Sequence, residues 1–402
     1  MQNKLKVLHV IPSVSPLRGG PSKAVIEMVA ALRASGVDAE IATTNDDGQT
    51  TMDVPVNVKT EYQGVPVYFF SRFSPSLNAV REFSYSNEFR RWIKTNIDNY
   101  DLVHIHAIFS FCSSYAMHIA RKKKIPYIVR TIGQLEAWSL SQSAMRKKLY
   151  LSLCEKNNLQ SASKLHFTAS SELDQSLQAI PSAKGVVIPL GIHIPNSIDH
   201  ALERMLSRWQ LKPNTPTLLY LSRLHPKKGL EQVLTALSQL KHIPFQLVIA
   251  GEGEESYTNT LFELIERLKL TKHCHFIGFV EGTEKELLLQ AADLFVLTSH
   301  SENFGIAALE SMAAGTAVLI SKGVALSPLV SEHQLGFVSN INQDEITLTL
   351  EKALTELQTS DDVSKMGERA RRFVKDNYQW SAISQQLMSL YQEVRHKAPV
   401  NK

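Results

Sequence analysis

The segment HSENFGIAALESMAAG, residues 300–315, carries two glutamates whose positions suggest ligand binding. Glu302 lies in its polar part, and Glu310 follows eight residues later among residues that are almost all apolar or small. Carboxylates accept hydrogen bonds from hydroxyl groups, so the pair could hold two polyhydroxylated rings, such as a hexose and a ribose. Two solvated glutamates are the alternative, but the neighbours of Glu310 imply burial, and a buried acid without a partner is costly.

Two cations precede this segment in the second half of the chain. In SRLHPKKG, residues 222–229, Arg223 follows an apolar run and Lys228 comes just before the next amphipathic segment. A guanidinium fork and a lysine point charge held close together can neutralise a diphosphate. Alone, the stretch would be typical of a solvated basic turn, but its position relative to residues 300–310 favours a binding role.

A Gly-Gly turn near the N-terminus could bring backbone amides close to a phosphate or a sugar. Gly19 and Gly20 end the segment SPLRGG, directly before an amphipathic stretch. Glycine lets a backbone approach a ligand closely, and helix N-termini favour negative charge. An ordinary strand-to-helix loop explains the pattern equally well. No GxxxxGK[ST] motif occurs, and GEGEES at residues 251–256 fails the GxGxxG pattern at its last position.

Short apolar runs rich in Val, Ile and Leu alternate with amphipathic segments, which predicts parallel strands covered by helices on both faces. The runs are 5–12, 40–44, 65–70, 102–106, 126–130, 165–169, 186–189, 217–222, 245–250, 275–277, 294–298 and 317–320. The pattern predicts an α/β fold with two Rossmann-like doubly wound domains. Such sheets bind ligands beyond the carboxyl ends of their strands, so we expect the domains to face each other across a substrate cleft.

The alternation lapses between Gly191 and Pro216, where we expect the connection between the domains. We predict a first domain at 1–195, a linker at 196–212 and a second domain at 213–375. A last amphipathic segment, 380–397, is predicted to form a helix that packs back on the first domain.

The order of these motifs resembles that of the retaining GT-B glycosyltransferases of family 4, also called glycosyl transferases group 1. The shared features are Gly-Gly near the start, Arg-x4-Lys opening the second half, and Glu-Asn-Phe-Gly-x4-Glu. The likeness extends over nearly the whole chain, including DLVHIHAIFSF at 101–111, VVIPLGI at 186–192 and LVIAGEGEE at 247–255. The spaced glutamates are its specific part.

The resemblance implies that the second domain binds most of a nucleotide-sugar donor. Arg223 and Lys228 would hold the diphosphate, and Glu310 the ribose hydroxyls. The backbone around Val280 would contact the base, while Glu302 would grip the donor sugar. The backbone amides expected to help with sugar and phosphate are those of Asn303, Phe304, Gly305 and Ile306.

The resemblance also assigns parts of the first domain. Gly19 and Gly20 would close over the phosphate, and His106 would reach the far side of the sugar, near its 6-hydroxyl and the acceptor. Glu302 and His106 are therefore the expected catalytic residues.

One stretch departs from the family pattern. Where many relatives carry Pro-Arg-Gly, this chain has Thr131-Ile132-Gly133, so the expected arginine is isoleucine. Either Arg130 takes its place or the acceptor differs. Arg130 and Thr131 are the candidate acceptor-binding residues.

Neither a metal nor a cofactor is expected. His104 and His106, like His273 and His275, alternate as a metal pair would, but each pair lacks a third ligand nearby in the sequence. Asp-x-Asp does not occur. Structural histidines and a metal-independent transferase are the prediction.

The bulk composition excludes several classes. A net charge of +4 with 20% charged residues of both signs does not indicate a nucleic-acid-coating protein. Three scattered cysteines fit a reducing compartment, and no signal peptide or membrane-spanning run is evident, so we expect a cytoplasmic protein. Arg90, Arg91 and Lys94, interleaved with aromatic residues, could contact the inner leaflet of a membrane, although charge runs are usually solvated.

These observations predict a retaining hexosyltransferase acting in bacterial polysaccharide biosynthesis. The expected donor is UDP-glucose, with GDP-mannose second, and the expected acceptor is a glycan or a lipid-linked oligosaccharide. Two alternatives stay open: a nucleotide-sugar epimerase of the same architecture, and a non-catalytic scaffold or sensor with this fold.

Overall fold

A computed structural model describes residues 4–397, and the chain divides into two compact α/β units. The first unit runs to Gly191 and resumes at Trp380, and the second comprises Ile192–Gln379. Among the helices of residues 4–397, none is both long and apolar enough to span a bilayer.

The first unit is built on a sheet of eight strands. The strands of the unit, including two that form a separate hairpin, are β1 Lys6–Val10, β2 Asp38–Thr44, β3 Asp46–Asp47, β4 Thr50–Thr51, β5 Lys59–Tyr62, β6 Val65–Phe70, β7 Leu102–His106, β8 Tyr127–Arg130, β9 Lys164–Phe167 and β10 Gly185–Val187. The sheet order is β10-β9-β8-β7-β1-β2-β6-β5, and β3 and β4 form a separate hairpin. Every neighbouring pair in the sheet is parallel except β5 and β6.

Helices of the first unit connect these strands. They are α1 Gly20–Ala34, α2 Asn78–Glu82, α3 Asn87–Asn96, α4 Phe111–Lys123, α5 Ala137–Ser141, α6 Ala144–Tyr150, α7 Lys156–Gln160 and α8 Ser170–Ala179. A π-helical turn, Leu151–Glu155, joins α6 to α7. In α1, Val25, Met28, Val29 and Leu32 are fully buried, because their spacing puts them on one face of the helix.

The second unit has a six-stranded parallel sheet. Its strands are β11 Thr217–Leu221, β12 Gln246–Ala250, β13 Cys274–Gly278, β14 Leu294–Leu297, β15 Val318–Ser321 and β16 Gly336–Ser339. Their order is β13-β12-β11-β14-β15-β16, so the strand order reverses between β11 and β14, as in the Rossmann fold. Ligands of such sheets bind at that switch point.

The helices of the second unit include one that lies within the predicted linker. They are α9 Ala201–Trp209, α10 Leu230–Gln239, α11 Glu255–Arg267, α12 Gly282–Ala291, α13 Ile306–Ala314, α14 Ser327–Glu332, α15 Gln343–Thr359 and α16 Asp362–Asn377. Residues 196–212, predicted as a linker, contain α9, which packs on α12 within the second unit. Leu202, Met205, Leu206 and Trp209 have the spacing of one helical face, a signal that the sequence analysis overlooked, and Met205 is buried.

The last helix, α17 Trp380–Lys397, returns to the first unit and packs on α1. The Trp380 indole N–H donates to a Glu27 carboxylate oxygen over 3.0 Å. The same ring covers Gly191, where an added Cβ would lie 2.2 Å from a Trp380 ring carbon. The chain thus leaves and re-enters the first unit at neighbouring positions.

Gly191→Ala should destabilise the protein by about 1–3 kcal/mol, because the new methyl group must displace the buried Trp380 ring. Urea unfolding of the variant and the parent measures the difference. Combining Gly191→Ala with Trp380→Leu should cost less than the sum of the two single changes, since the smaller side chain leaves room. A Gly191→Ala protein as stable as the parent would contradict this packing.

Candidate functional site

The loops that follow β11 and β14 are joined by backbone contacts at the switch point of the second sheet. The Thr298 hydroxyl donates to the Gly229 carbonyl over 2.7 Å, and the His300 N–H donates to the Lys227 carbonyl over 2.8 Å. A Cβ at Gly229, whose φ is +74°, would lie 2.1 Å from the Thr298 carbonyl oxygen. Only glycine allows this close approach, which sets the spacing of the two loops.

Joining the loops brings Lys228 and Glu302 into direct contact. The Lys228 ammonium forms an ion pair with a Glu302 carboxylate oxygen, and the two side chains are only 16% and 20% exposed. The backbone of Glu302 is fixed as well, since its N–H donates to Gly323 over 2.7 Å and its carbonyl accepts from Ala325 over 3.0 Å. A cation and an acid are therefore held at the carboxyl edge of adjacent strands.

The start of α13 lies directly after this pair. Gly305 adopts the left-handed conformation, with φ of +91°, and an added Cβ would lie 2.8 Å from a Val324 methyl carbon. Phe304 is buried, and the helix begins at Ile306. The first amides of a helix have no acceptor within the helix, so residues 303–306 put amide donors close to Glu302.

Glu310 is buried, as predicted, with 8% of its surface exposed. It does have a partner, however. The Lys285 ammonium on α12 lies 2.6 Å from a Glu310 carboxylate oxygen. The sequence analysis did not find this counter-ion, because nothing in the sequence around Lys285 shows that α12 packs against α13.

Arg223 lies just beyond β11 and is exposed. The backbone beside it packs against the loop after β12, where the Leu224 N–H donates to the Glu252 carbonyl over 2.8 Å. A Cβ at Gly253 would lie 2.2 Å from the Leu224 carbonyl oxygen. The Gly-Glu-Gly segment, which does not match the dinucleotide motif, therefore supports the loop that carries Arg223. The sequence signal for this role was a pair of glycines directly after a strand.

Val280 lies just beyond β13, the strand next to β12 in the same sheet. It is nearly buried, at 9% exposure, between the end of β13 and the start of α12, while the neighbouring Phe279 is 51% exposed. Because α12 also carries Lys285, the segment around Val280 and Glu310 are linked through one helix.

In the first unit, the Gly-Gly turn is held in place by an acid that the sequence analysis missed. Gly19 has φ of +77° and precedes α1, and the guanidinium of Arg18 donates to Asp46 over 2.6 Å and to Glu82 over 2.8 Å. Asp46 is buried and also pairs with Arg72. No spacing rule connects residues so far apart in the chain.

His106 lies in a buried chain of polar rings on one face of the first sheet. Its Nε2 is 3.0 Å from Nδ1 of His9, and Nδ1 of His104 is 2.7 Å from the Tyr391 hydroxyl. Nδ1 of His166 is 3.2 Å from Nε2 of His104. These side chains are fully buried, and Nδ1 of His106 has no hydrogen-bond partner within residues 4–397.

The histidines also test the expectation that a third metal ligand is lacking. His9, from β1, joins His104 and His106 in a group whose ligand atoms all lie within 4.8 Å of one another, so that part of the argument was wrong. A metal fits the group poorly, because Nδ1 and Nε2 of His104 already face Tyr391 and another histidine. The positive charge of the buried Arg130 guanidinium also acts on these histidines and would repel a metal cation bound among them. Metal independence of the enzyme stays a prediction.

Arg130 and Thr131, the candidate acceptor residues, are both buried. Arg130 belongs to β8, whereas Ile132 lies beyond it in the left-handed conformation, with φ of +54°. Whether Arg130 takes the place of the missing arginine stays a prediction. Glu172, another residue that the sequence did not single out, accepts from the Thr131 hydroxyl over 3.0 Å and from the Gly133 N–H over 2.8 Å.

Comparison with known proteins agrees with this architecture. Residues 19–191 match the family model described as glycosyl transferase 4-like domain, and residues 203–391 match the one described as glycosyl transferases group 1. The chain is a group 1 glycosyltransferase. Its two Rossmann-like units are those of the GT-B fold, and it is a hexosyltransferase enzyme.

Three similar proteins illustrate the range of this family. A glycosyltransferase of Methanocaldococcus jannaschii is 29% identical over 73% of this chain and 76% of its own length. A GDP-mannose:cellobiosyl-diphosphopolyprenol alpha-mannosyltransferase of Xanthomonas oryzae is 23% identical over 94% of both chains. The structure of Anabaena HepE in complex with UDP-glucose superposes with a TM-score of 0.75 at 20% identity, over 97% of this glycosyltransferase and all of that chain.

The histidine chain predicts a loss of stability in acid. Burial, reinforced by the Arg130 charge, lowers the pKa of His166 from 6.5 to about 3, and burial likewise lowers the pKa of His9 to about 3. At a pH between the unfolded pKa of 6.5 and the folded pKa of about 3, these histidines bind protons in the unfolded chain but not in the folded chain. The contribution of each histidine to the free energy of unfolding is therefore fully present above the unfolded pKa and is lost as the pH falls below it. One pH unit below the unfolded pKa, the loss is about 1.4 kcal/mol per histidine.

Urea unfolding at about pH 7.5 and about pH 5.5 measures this effect. His166→Gln should reduce the acid-induced loss by roughly 1.4 kcal/mol. His200→Gln, which removes a histidine that is 80% exposed, is the matched control and should leave the loss unchanged. Equal acid sensitivity in His166→Gln and the parent would contradict the low pKa.

Gly253→Ala should weaken nucleotide binding, because its methyl group would push the loop carrying Arg223 away from the loop after β12. We expect about a tenfold higher Kd for UDP, a change of about 1.4 kcal/mol, measured by titration calorimetry. Glu263→Ala, on the exposed face of α11 in the same unit, is the control and should leave UDP affinity unchanged. Unaltered UDP affinity in Gly253→Ala would exclude this supporting role.

Proposed function

We propose that this enzyme is a retaining, metal-independent glycosyltransferase that moves a hexose from a nucleotide-sugar donor to a glycan or lipid-linked oligosaccharide. UDP-glucose is the preferred donor and GDP-mannose the second. The reaction would belong to polysaccharide biosynthesis. Glu302 would contact the reacting sugar, and His106 would act from the first unit.

The Lys228–Glu302 contact at the switch point carries this proposal. A donor diphosphate bound there would become the new counter-ion of the Lys228 ammonium, which releases Glu302 to accept hydrogen bonds from sugar hydroxyls. Arg223, exposed at the same sheet edge, would add a second cation. Cations and helix amides arranged before the reaction stabilise the charge that develops on a leaving diphosphate.

The far end of the donor would extend toward α12. Glu310, on α13 and eight residues beyond Glu302, would bind both ribose hydroxyls, with Lys285 orienting the carboxylate. The backbone near Val280 would contact the base. Backbone groups would discriminate poorly between uracil and guanine. Both UDP-glucose and GDP-mannose are therefore proposed as donors.

The arrangement of acids argues against a protein nucleophile in the proposed retaining reaction. Glycosidases use two carboxylates that flank a single bond, whereas Glu302 and Glu310 are separated along a loop and a helix, and each has its own lysine partner. In the proposed reaction the acceptor attacks from the face that the diphosphate leaves, and that phosphate takes the acceptor's proton.

The choice of substrates draws support from similar proteins. Anabaena HepE binds UDP-glucose, and the Xanthomonas enzyme transfers mannose from GDP-mannose to a diphosphopolyprenol-linked sugar. Both fit a nucleotide-sugar donor, and the second fits a lipid-linked acceptor. Thermal shifts with UDP-, GDP- and ADP-sugars would rank the donors, because stabilisation grows with ligand concentration relative to Kd.

Glu302→Gln should lower the rate of sugar transfer by roughly 10²–10³-fold while UDP affinity stays within about threefold of the parent. The amide keeps the shape of the side chain but removes the charge that faces the reacting sugar. Nucleoside diphosphate release from UDP-glucose, followed in the presence of a membrane-glycan extract, measures transfer, and titration with UDP measures binding.

Glu263→Gln on the exposed face of α11 is the matched control and should transfer at the parent rate. A Glu302→Gln enzyme with the parent turnover would remove Glu302 from catalysis. Conversion of the donor to another nucleotide sugar, without release of the diphosphate, would favour an epimerase.

A further inference from the structure

One helical stretch of the first unit, Ala144–Gln160, exposes a continuous apolar stripe. Met145, Leu149 and Leu153 are 86%, 61% and 72% exposed. They recur every fourth residue, so they lie on the same side of the stretch formed by α6, the π-helical turn and α7. Large apolar side chains exposed singly are ordinary, but a stripe of three on one helical face indicates a surface that contacts something apolar.

The charge around the stripe has one sign. Arg146, Lys148 and Lys156 are exposed, and the helical positions of the first two put them on opposite sides of the stripe. The stretch has a single acid, Glu155, which is fully buried. The solvent-facing charge of Ala144–Gln160 is therefore entirely positive.

The opposite face of the stretch is fixed to the first unit. The Glu155 carboxylate accepts from the Ser114 hydroxyl over 2.5 Å and from the Phe109 N–H over 3.2 Å, and the Tyr150 hydroxyl donates to Ser114 over 2.8 Å. Phe109 is three residues beyond His106. The apolar stripe is thus held outward by an element attached to the loop after β7.

The structure distinguishes this stretch from the basic segment that the sequence analysis favoured for membrane contact. In α3 the apolar side is already used, since Phe89 is fully buried and Trp92 packs 5.3 Å from the Phe70 ring. Arg90 and Arg91 lie on its solvated face. That helix has no apolar side chains left to insert into lipid.

We propose that Ala144–Gln160 binds the surface of an anionic bilayer, with Met145, Leu149 and Leu153 inserted at the boundary between headgroups and acyl chains. Arg146, Lys148 and Lys156 would lie among anionic headgroups, where each cation adds to the attraction. The purpose of this contact rests on the proposed function, because it would hold the loop after β7 close to a lipid-linked acceptor.

The uniform positive charge favours a bilayer over a second copy of the chain. A twofold interface pairs the same patch with itself, so it would bring the cations beside one stripe toward those beside the other. An anionic membrane offers both the apolar interior and the opposite charge.

Co-sedimentation of the full chain with vesicles tests the proposal. The parent should bind phosphatidylcholine vesicles containing phosphatidylglycerol and bind phosphatidylcholine alone at least about tenfold more weakly. Met145→Ser combined with Leu149→Ser and Leu153→Ser should weaken binding by about tenfold or more, and so should Arg146→Glu with Lys148→Glu. Leu202→Ser with Leu348→Ser, at exposed leucines of the second unit, should bind like the parent.

Several outcomes would overturn the proposal. They are no binding of the parent to anionic vesicles, parent-like binding by the serine variant with a parent-like Tm, and a concentration-dependent dimer that the serine variant abolishes. Release of UDP from UDP-glucose in vesicle-free solution does not depend on the stripe. Vesicle binding without any transfer would therefore refute the proposed function alone, and transfer without vesicle binding would refute the membrane surface alone.

Discussion

The close approach of Gly229 to the Thr298 carbonyl is the constraint on which the proposed donor site depends. A parallel sheet brings the carboxyl ends of its strands to one edge, but the loops beyond them could diverge. Here one glycine and one threonine hydroxyl tie the loop after β11 to the loop after β14. The pairing of Lys228 with Glu302 follows from that spacing.

Much of the second unit could be predicted because its signals are local. Apolar runs predicted every strand of its sheet except β16, and the small, apolar neighbours of Glu310 predicted burial. The Lys285 partner was out of reach, since contacts between α12 and α13 depend on packing angles that no residue pattern encodes. The helix α9 was missed for a different reason. Its apolar residues do have helical spacing, but prolines on both sides led us to interpret the stretch as a connection.

The first unit was harder to predict where polar groups are buried. Periodicity predicts that β1, β7 and β9 are strands, but not that their histidines share one face beneath Tyr391. The roles of Asp46 and Glu172 arise from long-range contacts that only folding creates. Ile132 adopts the left-handed conformation, which β-branched residues avoid. Residue propensities therefore could not predict the backbone turn beside the candidate acceptor residues.

The ion pair between Lys228 and Glu302 bears on selectivity among the anions of a cell. A sulfate that approached the ammonium would have to displace a carboxylate already in place, and it would offer that carboxylate no hydroxyl in return. A sugar diphosphate supplies both a competing charge and hydroxyl donors for the displaced acid. If the donor binds as proposed, this ion pair would weaken the binding of sulfate relative to that of a sugar diphosphate, without any steric gate.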